Sequence, residues 1–277
     1  MITLSDLSFR YSKRSPLFEH LELTLAPGHI YGLLGKNGAG KTTLLKLICG
    51  LTWPNAGRIS TGRYLPGNRQ AEFLQTLFFL PEEVFCPAPS AEKLEKHYSV
   101  FYPLFDKNGF RSMLDSLDVG YGQKTGRLSY GQKKKVMIAF ALACNTRYLF
   151  LDEPTNGLDI PSKATFRSML ASAFDEERII LISTHQVRDL QSLIDNILIL
   201  DQGRILLNQS IEKVAEKLTF GHSSIPPAPA ELIYAGNGEL GQVYMAHNTQ
   251  GEAGHVDLET LFNAAVSSPG KINSLFN

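Results

Sequence analysis

The sequence predicts an α/β fold: a sheet-and-helix core, an antiparallel β subdomain, an inserted α-helical subdomain and a small C-terminal α+β appendage. Three observations lead there. The N-terminal stretch alternates apolar and polar residues, as half-buried strands do. Short, mostly apolar runs recur at His29–Leu34, Tyr148–Leu151 and Ile179–Ser183, as in strands covered on both faces. Between the first two runs lie four segments with helical spacing.

The elements follow in order. Ile2, Leu4, Leu7 and Phe9, then Leu21, Leu23 and Leu25, mark two antiparallel strands. His29–Leu34 feeds a loop at Gly35, and Lys41–Leu51 is helical, with Gly50 near its end. Gly57–Leu80 is strand and loop. Ser90–Phe105, Gly109–Leu117 and Gly131–Ala143 are helical. Pro161–Phe174 is a helix with proline just inside its start. Asp195–Asp201 and Arg204–Asn208 flank Gln202-Gly203 and form a hairpin. Ile211–Leu218 is a short helix. Pro226, Pro227 and Pro229 mark residues 223–231 as a linker. Beyond it, Glu231–Tyr234 and Gln242–His247 are strands and Asp257–Val266 a helix. The expected organisation is a main domain over 1–222, its helical subdomain at about 83–147, and an accessory region over 232–277. No internal repeat is visible.

Composition narrows the function. Lys+Arg and Asp+Glu are both 27, so there is no broad basic field to hold nucleic acid. No apolar run approaches the ~18 residues of a membrane span. The N-terminus has neither the charged nor the apolar region of a signal peptide. Cys49, Cys86 and Cys144 are widely spaced, match no metal site and suit a reducing compartment. A cytoplasmic protein is expected.

The chemistry begins at Gly35-Lys36-Asn37-Gly38-Ala39-Gly40-Lys41-Thr42, which fits G-x-x-x-x-G-K-[ST] in a strand–loop–helix context. Glycines let several N–H groups converge on phosphate oxygens, and the helix N-terminus adds its positive end. Lys41 supplies a charge to the β- and γ-phosphates. The Thr42 hydroxyl suits Mg²⁺, and Thr43 follows on the same turn. The core is therefore expected to be of the P-loop NTPase type. Tyr148–Leu151 runs into Asp152-Glu153, placing two carboxylates at the ligand-bearing edge of the sheet. Asp152 suits the cation. Glu153 suits a base for the attacking water.

Leu128-Ser129-Tyr130-Gly131-Gln132 then precedes a helix. It resembles the L-S-G-G-Q signature of ATP-binding cassette (ABC) proteins, and the resemblance spans roughly residues 1–220. Asn156-Gly157-Leu158-Asp159 is similar to the family's D-loop, and Thr184-His185 to its switch histidine. Tyr11 stands where the family stacks an aromatic ring on adenine; packing is its ordinary alternative. The resemblance implies a head-to-tail dimer, as a homodimer or with another cassette subunit. Each ATP would lie between one phosphate loop and the other subunit's Ser129, Gly131 and Gln132. Ser129 also suits a helix N-cap. His185 would hydrogen-bond the γ-phosphate. An integral membrane permease subunit is the implied partner, with export the favoured direction, at the cytoplasmic face of the membrane. A cassette ATPase without a membrane partner, as in iron-sulfur cluster assembly, is the alternative.

Two positions depart from the family pattern. Tyr130 replaces a glycine, so its side chain must turn away from the phosphate. Glu82, after Phe79-Leu80-Pro81, stands where glutamine is usual and is expected near the metal with Thr42 and Asp152; Glu83 competes for that role. Lys93–Asp106 and Asp257–Ala264 resemble bacterial export cassettes.

Overall fold

The computed structural model describes residues 1–12, 15–189, 191–222, 232–238, 241–249, 251 and 254–276. The predicted linker 223–231 therefore lies outside the described residues.

The first two strands, β1 (Ile2–Phe9) and β2 (Phe18–Leu25), pair antiparallel, with Leu4 opposite Leu23 and Leu7 opposite Leu21. Their alternation is what buries one face. β3 (His29–Leu34) leads into α1 (Lys41–Ile48). β4 (Ala56–Thr61) closes the first sheet in the order β2-β1-β4. A four-residue helix, α2 (Ala71–Leu74), precedes β5 (Leu77–Leu80).

The inserted helices are α3 (Ala91–Tyr98), α4 (Lys107–Ser116) and α5 (Tyr130–Ala143). The sequence reads Ser90–Phe105 as one helix. In the structure α3 stops at Tyr98, a 3-10 turn covers Ser99–Phe101, and Tyr102 is extended. Pro103 is the reason: the residue before a proline is pushed out of the helical region.

The central sheet adds β6 (Tyr148–Asp152), β7 (Ile179–Thr184), β8 (Asn196–Asp201) and β9 (Arg204–Ser210), with α6 (Ile160–Ser172) between β6 and β7. Its order is β5-β6-β7-β3-β8-β9, parallel except for β9. Register decides the site. Leu34 faces Thr184, and Asp152 faces Ser183, so β3, β6 and β7 end together at one edge.

After α7 (Ile211–Lys217), β10 (Leu218–His222) pairs with β12 (Gly241–His247), which also pairs with β11 (Leu232–Gly238). The helical reading of Leu218 fails because it begins this strand. The third sheet thus takes one strand from ahead of the proline-rich segment. α8 (Leu258–Ser267) and α9 (Pro269–Phe276) complete the chain. Leu258, Leu261, Ala264 and Ile272 share one buried cluster with Ile197, Ile199, Leu206 and Leu207 of β8 and β9. The tail is therefore packed onto the central sheet. No helix among the described residues is long and apolar enough to cross a membrane.

Candidate functional site: a phosphate-loop cavity

A cavity of about 530 Å³ opens beyond the carboxyl ends of β3, β6 and β7. Its floor is the loop into α1. Gly40 caps that helix at φ 106°, and Gly38 has φ 82°, left-handed values that glycine adopts without a Cβ penalty. The turn lets α1 point its N-terminus into the cavity. The Lys41 side chain is buried, and its Nζ donates to the carbonyls of Gly35 at 2.8 Å and Lys36 at 3.3 Å. Gly35, Lys36 and Ala39 do not line the cavity themselves. Asn37, Gly38, Gly40, Lys41, Thr42 and Thr43 do.

Two carboxylates enter from β6 and its end. Asp152 is almost fully buried and accepts from Thr42 Oγ1 at 2.6 Å and from Ser183 Oγ. Glu153 is also buried. Its Oε1 lies 2.8 Å from His185 Nδ1 and 3.6 Å from Lys41 Nζ, while its Oε2 has no hydrogen-bond partner. An unsatisfied buried carboxylate oxygen is costly, so its persistence marks a site that takes a proton or a ligand. The Glu153 backbone is left-handed, at φ 46°. For a residue with a Cβ that conformation is strained and must be held by its surroundings. Its N–H donates to Ser183 O at 3.0 Å, and its carbonyl accepts from Lys134 Nζ at 2.7 Å.

Tyr11 and Glu82 line the same cavity. The Tyr11 ring is exposed, with its hydroxyl 2.8 Å from Thr43 Oγ1 and its edge against Phe9. Glu82 Oε1 accepts from Asn156 Nδ2 at 3.0 Å. Glu83 does not line the cavity. The remaining expected residues lie elsewhere. Ser129 caps α5 and accepts from the Gln132 N–H, and Gln132 Oε1 accepts from the Ser129 N–H, a closed capping box. Ser129 is exposed, and Gly131 approaches Gly157 so closely that a Cβ would sit 2.9 Å from that carbonyl. Tyr130 turns its hydroxyl to Glu82 O, at 2.7 Å, with its ring beside Gly157. Asp159 caps α6 through the Ser162 N–H and pairs with Lys135 at 3.4 Å.

Three contributors were not foreseen. Ser183 fixes Asp152, Asn156 holds Glu82, and Lys134 holds the Glu153 carbonyl. Lys134 is fully buried. Burial pushes its ammonium down to about 8, against the opposing pull of Glu82, Glu153 and Asp152. A signal existed: Lys134 sits just ahead of the unbroken apolar run Val136–Ala143, where α5 is buried all round.

A phosphate loop facing two strand-end carboxylates on an open sheet defines a nucleotide-hydrolysing α/β protein. The chain belongs to the ABC transporter family, whose model matches residues 18–156. As a member it is an ATP-binding, ATP-hydrolysing cassette subunit of a transport system. It is 30% identical to the ABC transporter ATP-binding protein NatA of Bacillus subtilis, over 78% of this chain and 92% of that one. It is 31% identical to the bacitracin transport ATP-binding protein BcrA of Bacillus licheniformis, over 74% and 68%. It is 34% identical to the Nod factor export ATP-binding protein I of Burkholderia lata, over 66% and 62%. In fold it is similar to a solved ATP-binding subunit of an ABC transporter, at TM-score 0.69 and 24% identity over 77% of this chain and 91% of that one. It is likewise similar to a dimeric ATP-binding cassette bound to ADP and Pi in a post-hydrolysis state, at TM-score 0.65 and 19% identity over 76% and 98%.

Proposed function

We propose that this chain is the motor subunit of an exporter, hydrolysing ATP between two cassettes and driving a separate membrane permease from the cytoplasmic face. One observation carries the catalytic part: Glu153 is buried with one oxygen on His185 and the other unpaired, beside the phosphate-loop lysine. That oxygen is free to accept the proton of an attacking water. His185 then orients Glu153 and the γ-phosphate, and Lys41 turns from its loop carbonyls to the β/γ-phosphates. Tyr11 flanks the adenine. Asp159 helps hold the dimer-facing loop.

Mg²⁺ fits the donor set. Thr42 Oγ1 and the Asp152 carboxylate are hard oxygen ligands already in contact, and Glu82 lines the same space. Among the described residues no group of three or more His, Cys, Asp or Glu could hold a metal alone. That suits an ion which keeps waters and phosphate oxygens among its ligands. When bound, it supplies positive charge against the phosphate oxygens.

Partner assembly rests on exposed groups. Ser129, Gly131 and Gln132 stand outside this chain's cavity, as a signature that serves a second cassette does. Phe85, Val100, Phe101 and Leu104, all following Glu82 in sequence, are exposed apolar side chains that suit a membrane subunit. The names of the bacitracin-transport and Nod-factor-export relatives support export.

Glu153→Gln tests the reading. It keeps the shape and removes the base, so ATP binding persists and turnover falls by about 10²- to 10⁴-fold. A purified variant that turns over like the wild type refutes it.

A further inference from the structure

Two side chains one turn apart on α5 reach the backbones of the two cavity residues Glu82 and Glu153. Tyr130 Oη donates to Glu82 O at 2.7 Å, and Lys134 Nζ donates to Glu153 O at 2.7 Å. The spacing of four puts both on one face of the helix. The Lys134 contact is interior, whereas the Tyr130 contact lies at the surface. Lys134 is fully buried, and the Tyr130 ring is seated beside Gly157.

We propose that Lys134 and Tyr130 are positioning residues for the ATPase, through which the signature helix fixes the backbones of Glu153 and Glu82. The proposal rests on Glu153 being the base.

The argument is geometric. Glu153 stands at φ 46°, and a strained left-handed residue keeps its place only when both its peptide groups are held. Ser183 O holds the N–H side, at 3.0 Å. On the carbonyl side there are two donors, the Asn156 N–H at 3.3 Å and Lys134 Nζ at 2.7 Å. The shorter is the ammonium, and charge-assisted bonds are the stronger kind. A lysine drawn wholly out of water is otherwise unfavourable, so the same side chain volume would be better filled by methionine if packing were its purpose. Glu82 completes the arrangement. Its carboxylate supports the Lys134 charge, while its carbonyl takes the Tyr130 hydroxyl. Tyr130 is the position where the family commonly has glycine, and Glu82 the one where it commonly has glutamine. The Tyr130 departure makes this hydrogen bond, and its acceptor is the Glu82 backbone carbonyl, which any residue there would offer. A consequence follows for the dimer: a ligand that engages the signature at Ser129 pulls on the helix that holds this chain's own base.

The test compares steady-state ATP hydrolysis by the full chain carrying Lys134→Met, Lys134→Arg, Tyr130→Phe or Glu153→Gln, with thermal melting of each. Lys134→Met is expected to melt within a few degrees of the parent and to lose kcat by about 30- to 100-fold, with KM for ATP within about threefold, since displacing a reacting group by an ångström has that scale of effect. Lys134→Arg keeps a cationic donor and recovers at least half of that loss on a logarithmic scale. Tyr130→Phe lowers kcat by about threefold, the scale of one neutral hydrogen bond. A folded Lys134→Met with unchanged kcat overturns the proposal, as does a loss carried by KM or one that arginine does not relieve. If Lys134→Met does not fold, unchanged kcat in Tyr130→Phe overturns it. Glu153→Gln separates the two readings: if it retains turnover, the assignment of the base fails; if it loses turnover while Lys134→Met does not, only the positioning role fails.

Discussion

The phosphate loop and the signature are built alike and end differently. Each is a glycine-containing segment at the N-terminus of a helix, α1 or α5. At α1 the partners come from the same chain: Lys41 is buried, Thr42 meets Asp152, and Glu153 meets His185. The α1 cap, Gly40, makes no side-chain hydrogen bond, which leaves the helix end to a ligand. At α5 the end is closed by its own Ser129–Gln132 capping box and faces solvent. The difference teaches that one half of the nucleotide site is complete within the chain. The signature end is stable as a helix cap without a ligand, and under the proposed function it serves a second chain.

The sharpest way to break that comparison is Lys41→Ala. It removes the cation of the complete half. Loss of one preorganised electrostatic group costs about 10²- to 10³-fold in turnover. ATP affinity should fall with it, because the proposed role sets the same charge on the bound phosphates. Isothermal titration and a phosphate-release assay measure the two. Normal affinity in the variant would place the nucleotide somewhere other than this cavity.

A smaller effect tests the other half. Ser129→Ala opens the capping box, which costs about 1 kcal/mol of stability with or without nucleotide. A hydroxyl that also contacts a partner's phosphate is worth a further ~1.5–3 kcal/mol. In the Glu153→Gln background, Ser129→Ala should therefore weaken ATP-driven association by about ten- to a hundredfold beyond its effect on melting. Sedimentation with ATP reads this. Association unchanged by the substitution would leave Ser129 a cap and nothing else.

What was legible in the sequence follows the same division. The phosphate loop is a local feature: eight consecutive residues carry their own chemistry, and the apolar run before them names the strand. Asp152 and Glu153 were legible because a strand must end somewhere, and an all-apolar strand ends at the sheet's edge. The parts that were not legible join distant segments. Tyr130 and Glu82 are 48 residues apart, and Ser183 and Asp152 are 31 apart. No spacing rule connects them until the sheet is assembled. The docking of the tail was hidden for a similar reason. The sequence reads Asp257–Val266 as a helix of an appendage, but the surface that Leu258 and Leu261 cover belongs to β8 and β9. The proline-rich segment suggested separation where the buried cluster is continuous.

That docking brings the tail to the complete half of the site, and the smallest expected effect lies there. Just beyond His185, a 3-10 turn at Val187–Asp189 is followed by Gln191. Arg188 pairs with Glu259 of α8 at 3.0 Å, and Gln191 Nε2 donates to Val256 O at 2.9 Å. Both members of the ion pair are more than half exposed. Such pairs are worth about 0–1 kcal/mol, because water screens the charges and two long side chains lose freedom. Glu259→Ala should therefore shift melting by no more than about 4 °C, given the 2–4 °C per kcal/mol expected for a chain of this size. It should leave ATP turnover within about twofold. Buried Leu261 behaves differently: Leu261→Ala opens a cavity in the shared cluster and costs about 2–5 kcal/mol. The two variants together decide what anchors the tail. If Glu259→Ala lowers turnover much further while melting stays put, the ion pair acts on the switch segment rather than on stability, and the tail reaches the chemistry through His185. If Leu261→Ala melts the tail alone and spares the cassette, the continuous cluster does not fold as one unit.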